Sequence, residues 1–190
     1  LGTAHALKIL TISQGDVRER LVREGKYQAQ LQNENIVQVT DVLTIGSQPG
    51  LLMEFVEGPT LEQWLTRYRP TPDEAATLFR GICSGVAYAH AKGLIHRDLK
   101  PANVLLALSH DRMTPRVADF GLAKDLQRPT PGRTRIGSTM GTPGYMAPEQ
   151  IRDASTVDRR ADLWSLGCIL YRLVCGVPPF EGDDLIELFK

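Results

Sequence analysis

His96-Arg97-Asp98-Leu99-Lys100-Pro101-Ala102-Asn103 sets a carboxylate two residues before an amine and five before a carboxamide. Placed on one short loop, these groups supply a general base, a cation that neutralises phosphate charge and a neutral oxygen ligand for a hard metal ion. The combination points to phosphoryl transfer onto a hydroxyl, a reaction in which positioning and charge neutralisation carry most of the catalysis. Singly, Asp, Lys, Pro and Asn are ordinary turn residues, and Asp98 alone would carry no such reading. The octapeptide does, because a motif gains value with every fixed position.

Two further motifs follow in order. Asp119-Phe120-Gly121 comes after Arg116-Val117-Ala118, sixteen residues beyond Asn103. The stretch between predicts a hairpin: the apolar run Val104 to Leu108, a polar turn over Ser109 to Thr114, then a short return strand. Ala147-Pro148-Glu149 follows Gly141-Thr142-Pro143-Gly144-Tyr145-Met146. The intervening segment, Leu122 to Met146, holds Thr130, Thr134, Ser138 and Thr139 beside Arg128, Arg133 and Arg135.

Together these motifs resemble the eukaryotic-type (Hanks-type) protein Ser/Thr kinase catalytic domain, of the sort also common in bacteria. The likeness runs over nearly the whole chain. It implies an α+β, two-lobed fold. Residues 1–56 would form a partial N-lobe of antiparallel strands plus one helix, and residues 57–190 a partial, mainly helical C-lobe. It also implies ATP and Mg²⁺ as cofactors, and proteins with Ser/Thr acceptors as substrates.

The resemblance assigns roles residue by residue. Asp98 is the base, Lys100 stabilises transferred charge, and Asn103 and Asp119 hold Mg²⁺. Phe120 packs into the core and sets the state of its loop. His5-Ala6-Leu7-Lys8 resembles V-A-I-K with His5 in place of Val, so Lys8 would hold the α/β-phosphates. Its partner would be Glu24 on a helix over Val17–Leu31. Glu19 competes for that role, and an exposed Glu24 paired with Arg20 or Arg23 is the plainer alternative. Gln28, one turn later, stands where the family packs an apolar side chain, implying looser stacking behind Phe120. Leu51 to Gly58 looks like a strand entering the hinge. Met53 would flank the nucleotide pocket, the backbone of Glu54 and Val56 would meet the adenine edge, and Ala6 and Leu105 would form roof and floor.

Lys100 and Thr142 favour a Ser/Thr over a Tyr kinase, with Thr142 bridging towards Asp98 and Lys100. Arg97 resembles the residue that clamps a phosphorylated activation segment, here at Thr134, Ser138 or Thr139. Glu149 would pair with an arginine of a later helix. Asp162 would either tether the catalytic-loop backbone or serve as an acid near a helix N-terminus.

Composition is that of a soluble globular protein, 42% apolar and 23% charged, with formal net charge +0. Neither a nucleic-acid partner nor a membrane surface is indicated. No signal peptide is visible, and no apolar run reaches the length of about 20 residues that a membrane span needs. Cys83, Cys168 and Cys175 form an odd set without metal spacing, which argues for reduced thiols and a cytoplasmic setting.

Thr71-Pro72-Asp73-Glu74 reads as a capped helix start. Ala75, Leu78, Phe79, Ile82, Val86 and Ala89 recur at helical spacing, and Gly93 ends the helix just before the catalytic loop. A second helix, from Ala161 to near Gly176, is apolar almost all round and is expected to be buried on every side.

The sequence also departs from a whole kinase. It starts seven residues before Lys8, without the Gly-rich loop that covers the phosphates, and it stops inside an expected helix, Asp184 to Lys190. It therefore reads as an interior fragment, unstable and inactive by itself and a poor binder of ATP. A pseudokinase or scaffold is the competing class. The intact set Lys8, Glu24, Asp98, Asn103 and Asp119 gives no support to that reading. A small-molecule kinase is disfavoured by the peptide-platform segment Gly141 to Glu149.

Overall fold

The computed structural model describes residues 2–9, 15–46, 48–109, 112–120, 143–152 and 157–180. Three strands open the chain: β1 (His5–Ile9), β2 (Val39–Ile45) and β3 (Gln48–Glu54), with helix α1 (Gly15–Gln28) between the first two. They form one antiparallel sheet in the order β1-β3-β2. Its register sets Ala6 opposite Met53 and Lys8 opposite Leu51. α1 packs closely on the sheet at Gly25, where an added Cβ would lie 2.6 Å from Leu51 Cδ2. α1 is three residues shorter at its C-terminal end than the expected Val17–Leu31, and the chain leaves it through a turn in which Leu31 N–H donates to Gln28 O.

Beyond Glu54 the fold becomes mainly helical. A short helix α2 (Leu61–Leu65) starts at a Thr60–Gln63 capping box that the sequence reading did not single out. Helix α3 (Pro72–Ala91) begins as its sequence indicates: Thr71 Oγ1 accepts from Glu74 N–H, and Glu74 Oε2 accepts from Thr71 N–H at 2.8 Å. Its stripe Ala75, Leu78, Ile82, Val86 and Ala89 is buried, and Gly93, at φ 78°, releases the chain towards His96. A 3-10 turn over Pro101–Asn103 leads into the hairpin β4 (Val104–Ser109) and β5 (Arg112–Val117). The turn is tighter than expected, because Met113 and Thr114 pair with Leu108 and Ala107 instead of joining it. Helices α4 (Pro148–Arg152) and α5 (Arg160–Cys175) follow, and Gly176 at φ 75° closes α5.

The two parts meet where the loop after α1 docks on α3 and β5. Val117 N–H donates to Asn35 O (2.8 Å), and Val37 N–H donates to Val117 O (2.9 Å). Gly81 and Gly85 of α3 make room for this loop: a Cβ at Gly85 would lie 2.6 Å from Asn35 O. Glu54 adds a polar tie, taking Gln38 N–H on one oxygen (2.8 Å) and Arg116 Nη1 on the other (2.5 Å).

One expectation is corrected. α5 is not buried on every side. Ser165, Leu166, Ile169 and Leu173 face the core, whereas Leu163 is 57% and Val174 70% exposed. An apolar helix surface records a capacity for burial, which needs a partner to be realised.

Thr134, Ser138, Thr139 and Thr142, the arginines of the 122–146 segment and the expected helix at 184–190 lie outside the described residues.

Candidate active site

The site forms where the loop after α3, the start of β4 and the residues following β5 converge. Lys100 Nζ sits 2.9 Å from Asp98 Oδ2 and 3.2 Å from Oδ1. Asn103 Nδ2 donates to Asp98 O (2.7 Å) and reaches Asp98 Oδ2 (3.2 Å). With the amide nitrogen so engaged, the carboxamide's other polar atom is an oxygen, a hard donor. Ala118 N–H donates to Asn103 O at 2.9 Å, which fixes Asp119 beside this group. Asp119 has φ 66°, a left-handed backbone that is uncommon without glycine.

Lys8 arrives from β1. Its ammonium lies 2.7 Å from Asp119 Oδ1, joining residues 111 positions apart across the junction of the two parts. Glu24 is half-buried on α1. Ala6 and Met53 face each other across β1 and β3. Leu105 on β4 bridges to Thr60, so the segment after Glu54 and Val56 runs along β4. Gly58 permits that approach, since a Cβ there would lie 1.9 Å from Leu106 O.

Beneath the carboxylates lies a buried polar layer. His96 is fully buried, its Nε2 bonded to Ala118 O (2.8 Å) and its Nδ1 to Asp98 N–H (3.3 Å). One imidazole thus spans the backbones next to both aspartates. Burial pushes its pKa down, overriding the opposite pull of Asp162, Asp98 and Asp119. Asp162, at the start of α5, accepts His96 N–H and Arg97 N–H, each at 2.8 Å, and pairs with His90 Nε2 at 2.6 Å. Burial alone would raise its pKa, but His90 and the backbone donors of the loop hold it below the ordinary carboxylate value. Phe120 is buried and packs on His96 with ring centroids 4.9 Å apart. Gln28 does not leave a loose spot behind Phe120. It is buried, and its Nε2 donates to the Phe120 carbonyl, so a hydrogen bond stands where an apolar contact was expected.

Sequence reasoning passed over His90 and Gln150. Gln150 donates to Arg97 O (2.7 Å) and accepts Ala147 N–H (3.1 Å). For His90 the available signal was its place one residue after the buried Ala89, near the end of a helix aimed at the loop. Glu149, the expected ion-pair former, is exposed.

The donor set fits a magnesium ion. Among the described residues no three His, Cys, Asp or Glu side chains cluster as a self-sufficient metal site. One carboxylate, Asp119, and one carboxamide, Asn103, match the few protein oxygens by which Mg²⁺ is held together with substrate phosphates.

Two aspartates whose backbones are bridged by one histidine, with a lysine on each carboxylate, thus sit at the junction of a two-part α+β fold. A family model described as protein kinase domain matches residues 2–190, and the chain belongs to that family. It is 38% identical over 191 residues to the serine/threonine-protein kinase PkaA of Streptomyces coelicolor, covering 98% of this chain and 35% of the relative. Against the myosin light chain kinase A of Dictyostelium discoideum the identity is 34%, covering 98% of this chain and 62% of the relative. A solved structure of Rad53 residues 1–466 in complex with AMP-PNP superposes with a TM-score of 0.76 at 28% identity, over 97% of this chain and 44% of that one. The chain thus spans about a third of PkaA's length.

Proposed function

We propose that the protein is an active protein Ser/Thr kinase, transferring the γ-phosphate of ATP to Ser or Thr hydroxyls of protein substrates. Residues 1–56 serve as the smaller lobe and 57–190 as the larger one. The observation that carries this reading is the Lys8–Asp119 ion pair next to the Asp98–Lys100–Asn103 cluster. Asp98 takes the proton of the attacking hydroxyl, and Lys100, in contact with it, neutralises charge as the phosphoryl group moves. Asn103 and Asp119 offer the oxygens for Mg²⁺, which when bound neutralises phosphate charge. Lys8 orients the phosphates, with Glu24 behind it. Ala6, Met53, Leu105 and the backbone of Glu54 and Val56 enclose the adenine. Thr142 shapes the acceptor site, and Arg97 receives a phosphate placed on Thr134, Ser138 or Thr139. No helix among the described residues is long and apolar enough to cross a membrane, and the three cysteines are free thiols. Both are compatible with a cytoplasmic enzyme.

The test is Asp98→Asn in the full-length protein. We expect kcat to fall about 10²–10⁴-fold, the usual contribution of a positioned general base, with ATP affinity retained. Normal phosphotransfer by that variant would overturn the assignment.

A further inference from the structure

The mechanism above leaves Gln150 unused, although it is 8% exposed and engages both ends of its carboxamide. What it holds is unusual. Arg97 has φ 69°, a left-handed conformation that non-glycine residues rarely adopt. The peptide joining Arg97 to Asp98 is gripped at both ends. Its carbonyl accepts Gln150 Nε2–H at 2.7 Å, and its N–H donates to His96 Nδ1 at 3.3 Å. The preceding peptide is fixed through Arg97 N–H on Asp162 Oδ1 at 2.8 Å. The orientation of the Arg97–Asp98 peptide plane sets where the Asp98 side chain departs from the backbone.

We infer that Gln150 is a positioning residue for Asp98, which ties the end of the segment before Pro148 to the catalytic loop by holding the Arg97–Asp98 peptide. An amide suits this position. It must donate to a carbonyl on one side and accept the Ala147 N–H on the other. A glutamate keeps the acceptor and loses the donor. A methionine keeps the shape and loses both. This inference rests on the kinase reading, because it assigns Gln150 to the residue that reading names as base.

The experiment uses the full-length protein with dephosphorylated casein as acceptor. It compares Gln150→Met and Gln150→Glu in the wild-type background and in Arg97→Gly, where a left-handed backbone carries no Cβ penalty. We expect kcat to fall about tenfold in both wild-type-background variants, with KM for ATP within twofold, since Gln150 does not touch the nucleotide-holding groups. On Arg97→Gly the same substitutions should change kcat less than twofold. A structural role alone would lower the folded fraction equally in both backgrounds, which urea unfolding reads directly. Unchanged kcat in Gln150→Met, or an equal proportional loss in both backgrounds, would overturn the inference. If the wild type transfers no phosphate, or Asp98→Asn matches it, the kinase reading fails instead. The tether is then judged by amide exchange at Arg97 and Asp98, which Gln150→Met must accelerate for the inference to stand.

Discussion

At the scale of single residues the centre depends on one proton. His96 donates from Nε2 to the Ala118 carbonyl and accepts at Nδ1 from Asp98 N–H, so both ring nitrogens are satisfied only in the neutral Nε2–H tautomer. A second proton would set two N–H groups against each other inside the core. The depressed pKa of this imidazole reflects that burial. The unfolded chain takes up the proton near the ordinary pKa of about 6.5 while the folded chain resists it. Stability is therefore fully present above that value and declines as pH falls below it. Asp162, also depressed, adds a second loss in the same direction, beginning as pH falls below the ordinary aspartate value of about 4. We predict that the urea midpoint falls between pH 7.5 and 5.5, and that His96→Gln, though less stable overall, loses much of that dependence. A wild-type midpoint that is flat across this interval would contradict the assignment.

Elements were legible where their signals were local. The Thr71–Glu74 box, the α3 stripe and the Gly93 stop are written in adjacent residues, and the structure repeats them. The motif order that suggested the two-part fold was equally readable. What stayed hidden depends on partners distant in sequence. Gln28 looked like a fault in an apolar contact until the Phe120 carbonyl, 92 residues away, came within reach. Gln150 has no local pattern that announces its bond to Arg97, and the place of His90 near the end of α3 does not point to Asp162, 72 residues away. Gly81 and Gly85 belong to the same class. In a helix they appear only as weak formers, yet their missing side chains admit the Asn35 loop. Gly85→Ala should therefore destabilise by about 1–3 kcal/mol through overpacking, although alanine is the better helix residue. Because the displaced loop pairs with Val117, two residues before Asp119, the variant should also lose activity beyond its loss of folded fraction. Urea unfolding together with kcat per folded molecule checks this, and a stabilised Gly85→Ala would contradict it.

Over the whole molecule, α5 stands out as two-faced. Its inner side closes the core beneath the catalytic loop through Asp162, Leu166, Ile169 and Leu173. Its outer side carries Leu163, Leu170 and Val174, spaced seven and four residues apart and hence on one helical face, all at least 37% exposed. Trp164 stacks on Phe180 at 5.6 Å beside them. An apolar surface of this kind favours association, since removing it from water gains about 25 cal/mol for every Å² covered. We predict that the 190-residue chain self-associates at micromolar concentration. Leu170→Glu with Val174→Lys should move it to monomer in sedimentation velocity. The unfolding free energy from urea titration should change by less than about 0.5 kcal/mol, because both side chains already meet solvent. A monodisperse wild-type chain with a cooperative melt would show that the inner face of α5 suffices for a stable domain, and that its outer face needs no cover.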